Sequence, residues 1–246
     1  NELGLNLNGY VETGSLETGS KLSGTLDFDS DSLELANLLL PQVSIGKGKA
    51  SARIVIDGTV DTPLASGKVQ LNANQIVVLQ SGTMLNDVTG TLQADANSGQ
   101  FKVEADGKVG SGKLQITGHL NAFKQFGKLD INGNDLLIID TPDLLIEASP
   151  ELTVSLDKKL ISLNGKLNIP KARITPIELN QATTESADVR LKNEEKKTSV
   201  FKTQTDLTVS LGENVRVKAL GFAGQIQGSL NITQQPNSPA RGNGTI

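Results

Sequence analysis

The sequence has no cysteine and no tryptophan, and its 246 residues include one histidine, one methionine and one tyrosine. Without cysteine the chain can form neither a disulfide framework nor a thiolate metal site. A lone histidine has no second imidazole with which to hold zinc, and neither a Gly-x-Ser-x-Gly nor a His-Glu-x-x-His motif occurs. These absences predict that the chain is not an enzyme and that it carries no metal or cofactor.

Large aromatic side chains are also scarce, and the chain has no strong excess of positive or negative charge. Aromatic residues make up 3% of the chain and hydrophobic residues 37%, so a thick core is not expected. The net charge is −4 with both signs interspersed, which argues against nucleic-acid binding. No apolar run approaches the about 18 residues of a membrane-spanning helix. No signal peptide is visible and the chain starts with Asn1, so we expect a fragment of a longer protein.

Alternating apolar and polar residues fill most of the chain, most regularly between Leu152 and Leu191. A period of two predicts strands with one apolar and one polar face. A Gly-x-Φ-x-Φ unit, where Φ is apolar, recurs as GKVQL, GKLQI, GKLDI, GKLNI and GSLNI, and its glycines predict bends that curve a sheet. The pattern indicates an all-β protein with roughly 18 antiparallel strands, stacked about 4.8 Å apart in one long, mostly single-layer sheet.

Three segments depart from this pattern. Residues 32–40 predict one short helix, capped by the serines and aspartate at 30–32, ended by Pro41 and placed at one end of the sheet. Residues 192–199 form a charged run that predicts a solvated hairpin loop. The Pro- and Gly-rich tail, 234–246, leads toward a further strand. The whole of 1–246 is therefore expected to be one elongated module.

Three apparent chemical motifs have simpler explanations. Residues 107–113 have the Gly-x-x-x-x-Gly-Lys spacing of a phosphate loop, but no Ser or Thr follows and the next residues alternate as a strand, which predicts a hairpin turn. His119 is out of phase with the apolar residues, so we expect it on the polar face. Asp27, Asp29 and Asp31 lack the glycine and distal glutamate of a calcium loop and are expected to serve solvation and helix capping.

Periodicity alone does not distinguish an open sheet from a closed one. A β-sandwich or a β-helix would also bury every second residue, and its apolar face would simply be its core. An open curved sheet would instead leave a groove. The residues predicted to line the apolar face are Ile54, Ile56, Val69, Leu71, Leu92, Val103, Leu114, Ile116, Leu120, Leu129, Ile131, Leu152, Val154, Leu163, Leu167, Ile169, Val209, Val217, Ile226 and Leu230.

The string GKLNIPKARITP, followed by SADVRL, resembles the C-terminal part of the TamB family, the inner-membrane-anchored subunits of the translocation and assembly module, in the AsmA-like group. The matching positions are Gly165, Leu167, Ile169, Pro170, Ala172 and Ile174, then Ser186, Asp188 and Val189. Upstream, IDGTVDTPLASGKVQL resembles another segment of the family, as does LGENVRVKALGFAGQIQGSLNI downstream. The resemblance covers most of residues 33–246.

This resemblance implies a β-taco, a long sheet folded into a U with an apolar groove along its length. It implies a periplasmic location and a bridge that carries phospholipid between the inner and outer membranes, with acyl chains against the twenty residues above. The alternative implied role is assembly of outer-membrane β-barrel proteins with an Omp85-type partner, TamA. The family's membrane anchor has no counterpart in the sequence, and the regions that contact TamA are expected to lie outside it.

Overall fold

A computed structural model describes residues 5–121, 123–175, 201–219 and 222–246, which form one sixteen-stranded, open sheet. In chain order the strands are β1 (Leu5–Thr13), β2 (Leu22–Ser30), β3 (Val43–Ile45), β4 (Gly48–Gly58), β5 (Pro63–Val78), β6 (Thr83–Ala94), β7 (Phe101–Val109), β8 (Gly112–Asn121), β9 (Phe126–Asn134), β10 (Leu136–Asp140), β11 (Leu144–Asp157), β12 (Leu160–Ile174), β13 (Lys202–Ala219), β14 (Phe222–Gln225), β15 (Gly228–Gln234) and β16 (Arg241–Thr245). The predicted all-β, single-sheet fold is confirmed.

Thirteen of the strands follow one path through the sheet in sequence order, from β1 to β16. The other three lie beside it: β3 pairs with β5, β10 with β11, and β14 with β13. Because most neighbours are joined by short connections, the turns fall on two opposite rims. The hairpin rim carries the β4–β5, β8–β9 and β11–β12 turns. The helix rim carries the helix, β3, β10 and the β7–β8 turn.

One pair of strands is parallel, which the alternating pattern did not predict. β12 and β13 run in the same direction, with Leu160 opposite Lys202 and Leu167 opposite Val209. A two-residue hairpin joins only antiparallel strands, so β12 and β13 are not joined by one, and the predicted hairpin loop at 192–199 stays a prediction. The charged run 192–199 lies outside the described residues.

The predicted helix is present as α1 (Glu34–Leu39), and it sits at the helix rim. Its N-cap is Leu33 and no side chain caps it, so the predicted capping is wrong in detail. The Ser32 hydroxyl instead accepts a hydrogen bond from the Glu34 N–H at 3.3 Å. The Asn37 amide fixes the helix to β3, because it donates to the Ile45 carbonyl at 3.0 Å and accepts from the Ile45 N–H at 2.6 Å.

A series of β-bulges crosses the sheet near the helix rim. The register between β6 and β7 shifts between Asn86 and Thr89, around Asp87, whose φ is 51°. Asp135, with φ 49°, separates β9 from β10, and both of these strands pair with β11. Irregular steps at Pro170 in β12 and Gly212 in β13 continue the line. Bulges bend a strand and increase its twist, so this line curves the sheet.

The curvature brings β10 against β6, β7 and β8, and the Thr83 hydroxyl at the start of β6 donates to the Ile138 carbonyl. These contacts bury the side chains at the helix rim, and we call this part of the sheet the dry end because water is excluded from it. Its fully buried apolar residues are Leu33, Ile45, Ala73, Val88, Val109, Leu136, Ala148, Ala172 and Val215.

The predicted tail is more ordered than its composition suggests. Residues 234–246 were expected only to lead into another strand, but Arg241–Thr245 already forms β16, which pairs antiparallel with β15. The turn before it uses Asn237 at φ 61°, a left-handed conformation that asparagine tolerates well.

Candidate functional site

The apolar face of the sheet is continuous from strand to strand. Residues directly opposite each other in a ladder share a face, so the register defines rows of side chains across the sheet. One row runs over ten strands as Leu7, Phe28, Ala52, Val69, Leu92, Val103, Gly118, Leu129, Val154 and Leu163. It contains no polar side chain and spans roughly 40 Å at the usual strand spacing.

A second row runs parallel to the first, two residues nearer the helix rim. It comprises Ala50, Leu71, Gly90, Ala105, Ile116, Ile131, Leu152, Gly165, Leu207 and Ile232. Together the two rows form an apolar strip, which we call the groove face. Its members are Leu, Ile, Val, Ala and Gly apart from Phe28, so its surface is smooth and lacks polar groups that would recognise one particular ligand.

The groove face is only half covered by the protein itself. All twenty residues predicted to line it are half-buried, and none is among the fully buried apolar residues of the core. In a closed sandwich, facing residues would be buried by the second sheet. The open strand order and the partial exposure together describe an apolar surface that the described part of the chain does not cover.

Nineteen of these twenty residues lie within the strands. Ile54 and Ile56 of β4 lie opposite Gly67 and Ala65, and Ile116 of β8 lies opposite Ile131 of β9. The exception is Ile226, which lies between β14 and β15 with its N–H donating to the Val215 carbonyl at 3.0 Å. The residues therefore share one face, while their role as a wall for lipid stays a prediction.

Glycines occupy the groove face at regular intervals for a steric reason. Gly67 and Gly165 have φ of 122° and 135°, a conformation that residues with a Cβ rarely adopt. A Cβ on either would overlap a carbonyl oxygen of the neighbouring strand, Arg53 O and Glu151 O respectively. The first residue of the Gly-x-Φ-x-Φ unit thus permits close approach of the strands, and the apolar residues that follow line the groove face.

The opposite, outer face is polar and carries cross-strand ion pairs. Arg53 Nε lies 2.8 Å from Asp27 Oδ1, and Lys171 Nζ lies 2.6 Å from Glu147 Oε1. Exposed pairs of this kind contribute little to stability but keep this face solvated. The Thr153 hydroxyl donates to Asp130 at 2.6 Å and, with a smaller effect of Lys128, holds the pKa of Asp130 below its usual value.

Helix α1 closes one part of the groove face at the helix rim. Leu33, 5% exposed, packs with Ile45, Ala73 and Val88. It lies directly over β4, because a Cβ built on Gly48 would come within 2.6 Å of Leu33 Cδ1. The predicted position of the helix at one end of the sheet is confirmed. This helix narrows the groove face between β4 and β6.

The three motifs set aside above have structural roles. Residues 107–113 form the β7–β8 hairpin, with Gly110 at φ 62° in its turn. His119 lies on the outer face between Lys102 and Lys128 in the register, with its ring centroid 6.1 Å from that of Phe126. Asp31 pairs with Lys49 at 2.6 Å. Within the described residues no group of three or more His, Asp or Glu could hold a metal ion.

The sequence pattern missed the dry end of the sheet. Val109 and Val215, 2% and 1% exposed, follow the alternation of their strands but were not recognised as fully buried. Leu136, 3% exposed, is out of phase with Ile131, because Asp135 at φ 49° interrupts the strand between them. One signal was available: Pro150 and Pro170 lie within apparent strands, where proline marks an edge or a bulge. No helix in the described ranges is long and apolar enough to cross a membrane.

Comparison with known proteins agrees with this geometry. The model of the TamB C-terminal domain family matches residues 102–246, which is more than half of the chain. The translocation and assembly module subunit TamB of Haemophilus influenzae is 23% identical over 244 residues, and the match covers 92% of this chain and 19% of that protein, so the chain spans about a fifth of its relative's length. No solved structure matches. From its match to the TamB C-terminal domain, the chain belongs to the TamB family.

Proposed function

We propose that the groove face is a conduit for the acyl chains of phospholipids that move between the inner and outer membranes of a Gram-negative envelope. The observation that carries this proposal is the row from Leu7 to Leu163, which crosses ten strands without a polar side chain. Each methylene exposed to water costs about 0.8 kcal/mol, so a lipid leaving a membrane needs a continuous apolar surface. The groove face provides one, and its open side leaves the head group in water.

The chemistry of the groove face suits a conduit better than a binding pocket. A site for one ligand combines an apolar cavity with a few convergent polar groups. The two rows of the groove face offer aliphatic side chains and glycines, which favour no head group and no fixed position along the sheet. We therefore assign the protein a non-catalytic role in the periplasm. Its membrane anchorage and its TamA partner come from the family relationship and belong to the proposal.

Replacing Ile116 by arginine tests the conduit. Ile116 lies in the second row, between Ala105 and Ile131, so a charge there would interrupt the acyl path. Gln115→Arg is the matched control, because the neighbouring side chain is on the outer face, opposite Asp106. The full-length protein with Ile116→Arg should fold but lose phospholipid transfer, whereas Gln115→Arg should retain it. Normal transfer by a folded Ile116→Arg variant would refute the conduit.

A second candidate is a scaffold for assembly of outer-membrane β-barrel proteins, as the name of the relative suggests. The supporting observation is that β1 and β16 each have only one neighbour in the described sheet, so their outer edges could pair with a client strand. Photo-crosslinkers along Leu114 to Leu120 distinguish the two roles. Lipid adducts at groove-facing positions support the conduit, and adducts to outer-membrane proteins support the scaffold.

A further inference from the structure

Two neighbouring turns and the start of β13 are joined into one surface at the hairpin rim. The Lys158 N–H, in the β11–β12 turn, donates to the Gln125 carbonyl in the β8–β9 turn at 2.7 Å. The Lys202 N–H, at the start of β13, donates to the Lys159 carbonyl at 2.7 Å. These backbone hydrogen bonds hold the two turns and the start of β13 side by side, so their side chains occur together rather than on independent loops.

The surface combines lysines with exposed phenylalanines, and we call it the lysine rim. It consists of Phe123, Lys124, Phe126, Lys158, Lys159 and Lys202. All four lysines are exposed, and Phe123 and Phe126 are 43% and 45% exposed. Asp157, the last residue of β11, is the carboxylate that precedes the β11–β12 turn. A protein of net charge −4 with few aromatics thus concentrates four positive charges and two exposed rings at one place.

The turn conformation does not explain the choice of lysine. Lys158 has φ 53° and Gln125 has φ 51°. Asparagine, aspartate and glycine are the residues that adopt this left-handed conformation most readily, and the other non-glycine examples in the described ranges are indeed Asp87, Asp135 and Asn237. A lysine at such a position carries a conformational cost, which indicates that its side chain serves another purpose.

The two rings are placed outside the groove face. Phe126 alternates with Gly127 and Leu129 of the groove face, so it lies on the outer face, where its ring is near His119. Phe123 lies beside the β6–β7 turn, since a Cβ on Gly99 would be 3.8 Å from its ring. Neither ring can therefore be explained as a part of the acyl path, and both are available to a surface outside the protein.

We propose that the lysine rim binds the surface of an anionic phospholipid bilayer. Lysines near such a surface each strengthen binding about fivefold, and exposed phenylalanine rings insert at the boundary between head groups and acyl chains. Lysine acts as a point charge that needs no fixed geometry, which suits a fluid layer of phosphates. Recognition of a protein carboxylate would favour arginine's planar fork, and none of these turns contains arginine. This contact is independent of transport through the groove face.

Cosedimentation of the 246-residue chain with vesicles tests the proposal. Vesicles of equal parts phosphatidylglycerol and phosphatidylethanolamine should bind the chain, and vesicles of phosphatidylcholine alone should not. Changing Lys158→Gln together with Lys159→Gln should weaken binding to the anionic vesicles about twenty-five-fold. Lys113→Gln with Lys166→Gln alters the net charge equally at exposed positions elsewhere on the sheet, and should leave binding close to that of the unmodified chain.

The outcomes separate the lysine rim from other sources of binding. Phe123→Ser should weaken binding to anionic vesicles without altering the circular dichroism spectrum, which controls for misfolding. If both lysine pairs reduce binding equally, net charge rather than the rim is responsible and the proposal is overturned. The proposal is also overturned if the chain binds neither kind of vesicle. Crosslinking of the rim to an acidic protein, together with absence of vesicle binding, would mean that the rim binds a protein instead. Ile116→Arg should leave vesicle binding unchanged, so failure of the conduit would not affect this result.

Discussion

Gly165 of β12 lies directly opposite Leu152 of β11, and its φ of 135° lets the two strands approach until a Cβ on Gly165 would overlap the Glu151 carbonyl oxygen. The same arrangement recurs at Gly67, which lies opposite Ile54. The glycines of the repeated Gly-x-Φ-x-Φ unit are therefore part of the geometry that holds the apolar residues in register.

Gly165→Ala should destabilise the protein by about 2 kcal/mol or more, because alanine must adopt an unfavourable φ and push the strands apart. Gly14→Ala is the control, since no heavy atom lies within 4 Å of a Cβ built there. Urea unfolding of the two variants compares their free energies of unfolding. Equal stability of the two variants would show that the sheet absorbs the added methyl group.

Leu33→Ala should cost about 2–5 kcal/mol, because it empties a fully buried position between α1 and β4. Leu38 belongs to the same helix but is 78% exposed, so Leu38→Ala should change stability by less than about 0.5 kcal/mol. Thermal unfolding followed by circular dichroism measures both. A small effect at Leu33 would mean that the helix is not packed on the groove face.

Thr153→Val should raise the pKa of Asp130 toward its ordinary value, because the hydroxyl that stabilises the carboxylate is removed. Thr117 also faces Asp130 in the register, on the β8 side, so Thr117→Val is the matched control and should leave that pKa nearly unchanged. An NMR titration of the Asp130 carboxylate carbon reports both values.

The direction of the pH effect follows from the lowered pKa of Asp130. Its stabilising contribution is complete above the pKa of about 3.9 of an unfolded aspartate, and it is lost as the pH falls through the lower folded value. The Thr153→Val variant should therefore show a weaker dependence of stability on pH in this acidic range. An unchanged Asp130 titration in that variant would contradict the assigned role of the hydroxyl.

The alternation of apolar and polar residues predicted most of the strands, because a period of two is sufficient to identify a strand that has one covered face. Val69, Leu92 and Val103 are each two residues from another apolar residue, and the register places all three in one row. The short helix was also predictable, because residues 33–40 break the period of two and Pro41 ends the segment.

Curvature and strand direction were not predictable in the same way. The bulge at Asp87 depends on a left-handed φ that aspartate adopts without a unique sequence signal. The parallel pairing of β12 with β13 leaves no trace in alternation, since a strand has the same periodicity in either direction. The lysine rim joins residues from two separate turns and the start of β13, and only the folded register brings Lys124, Lys158 and Lys202 together.

The parallel pairing of β12 with β13 also affects the order in which the strands join the sheet during folding. The strands from β4 to β9 are joined to their neighbours by short connections, so each can add to the sheet through local contacts. Lys202 of β13 lies opposite Leu160 of β12, so this pairing needs contact between residues far apart in the sequence, which forms more slowly than a hairpin. We expect β13 to β16 to join last. Until then β12 is an open edge of the described sheet, exposed to pairing with other chains during folding.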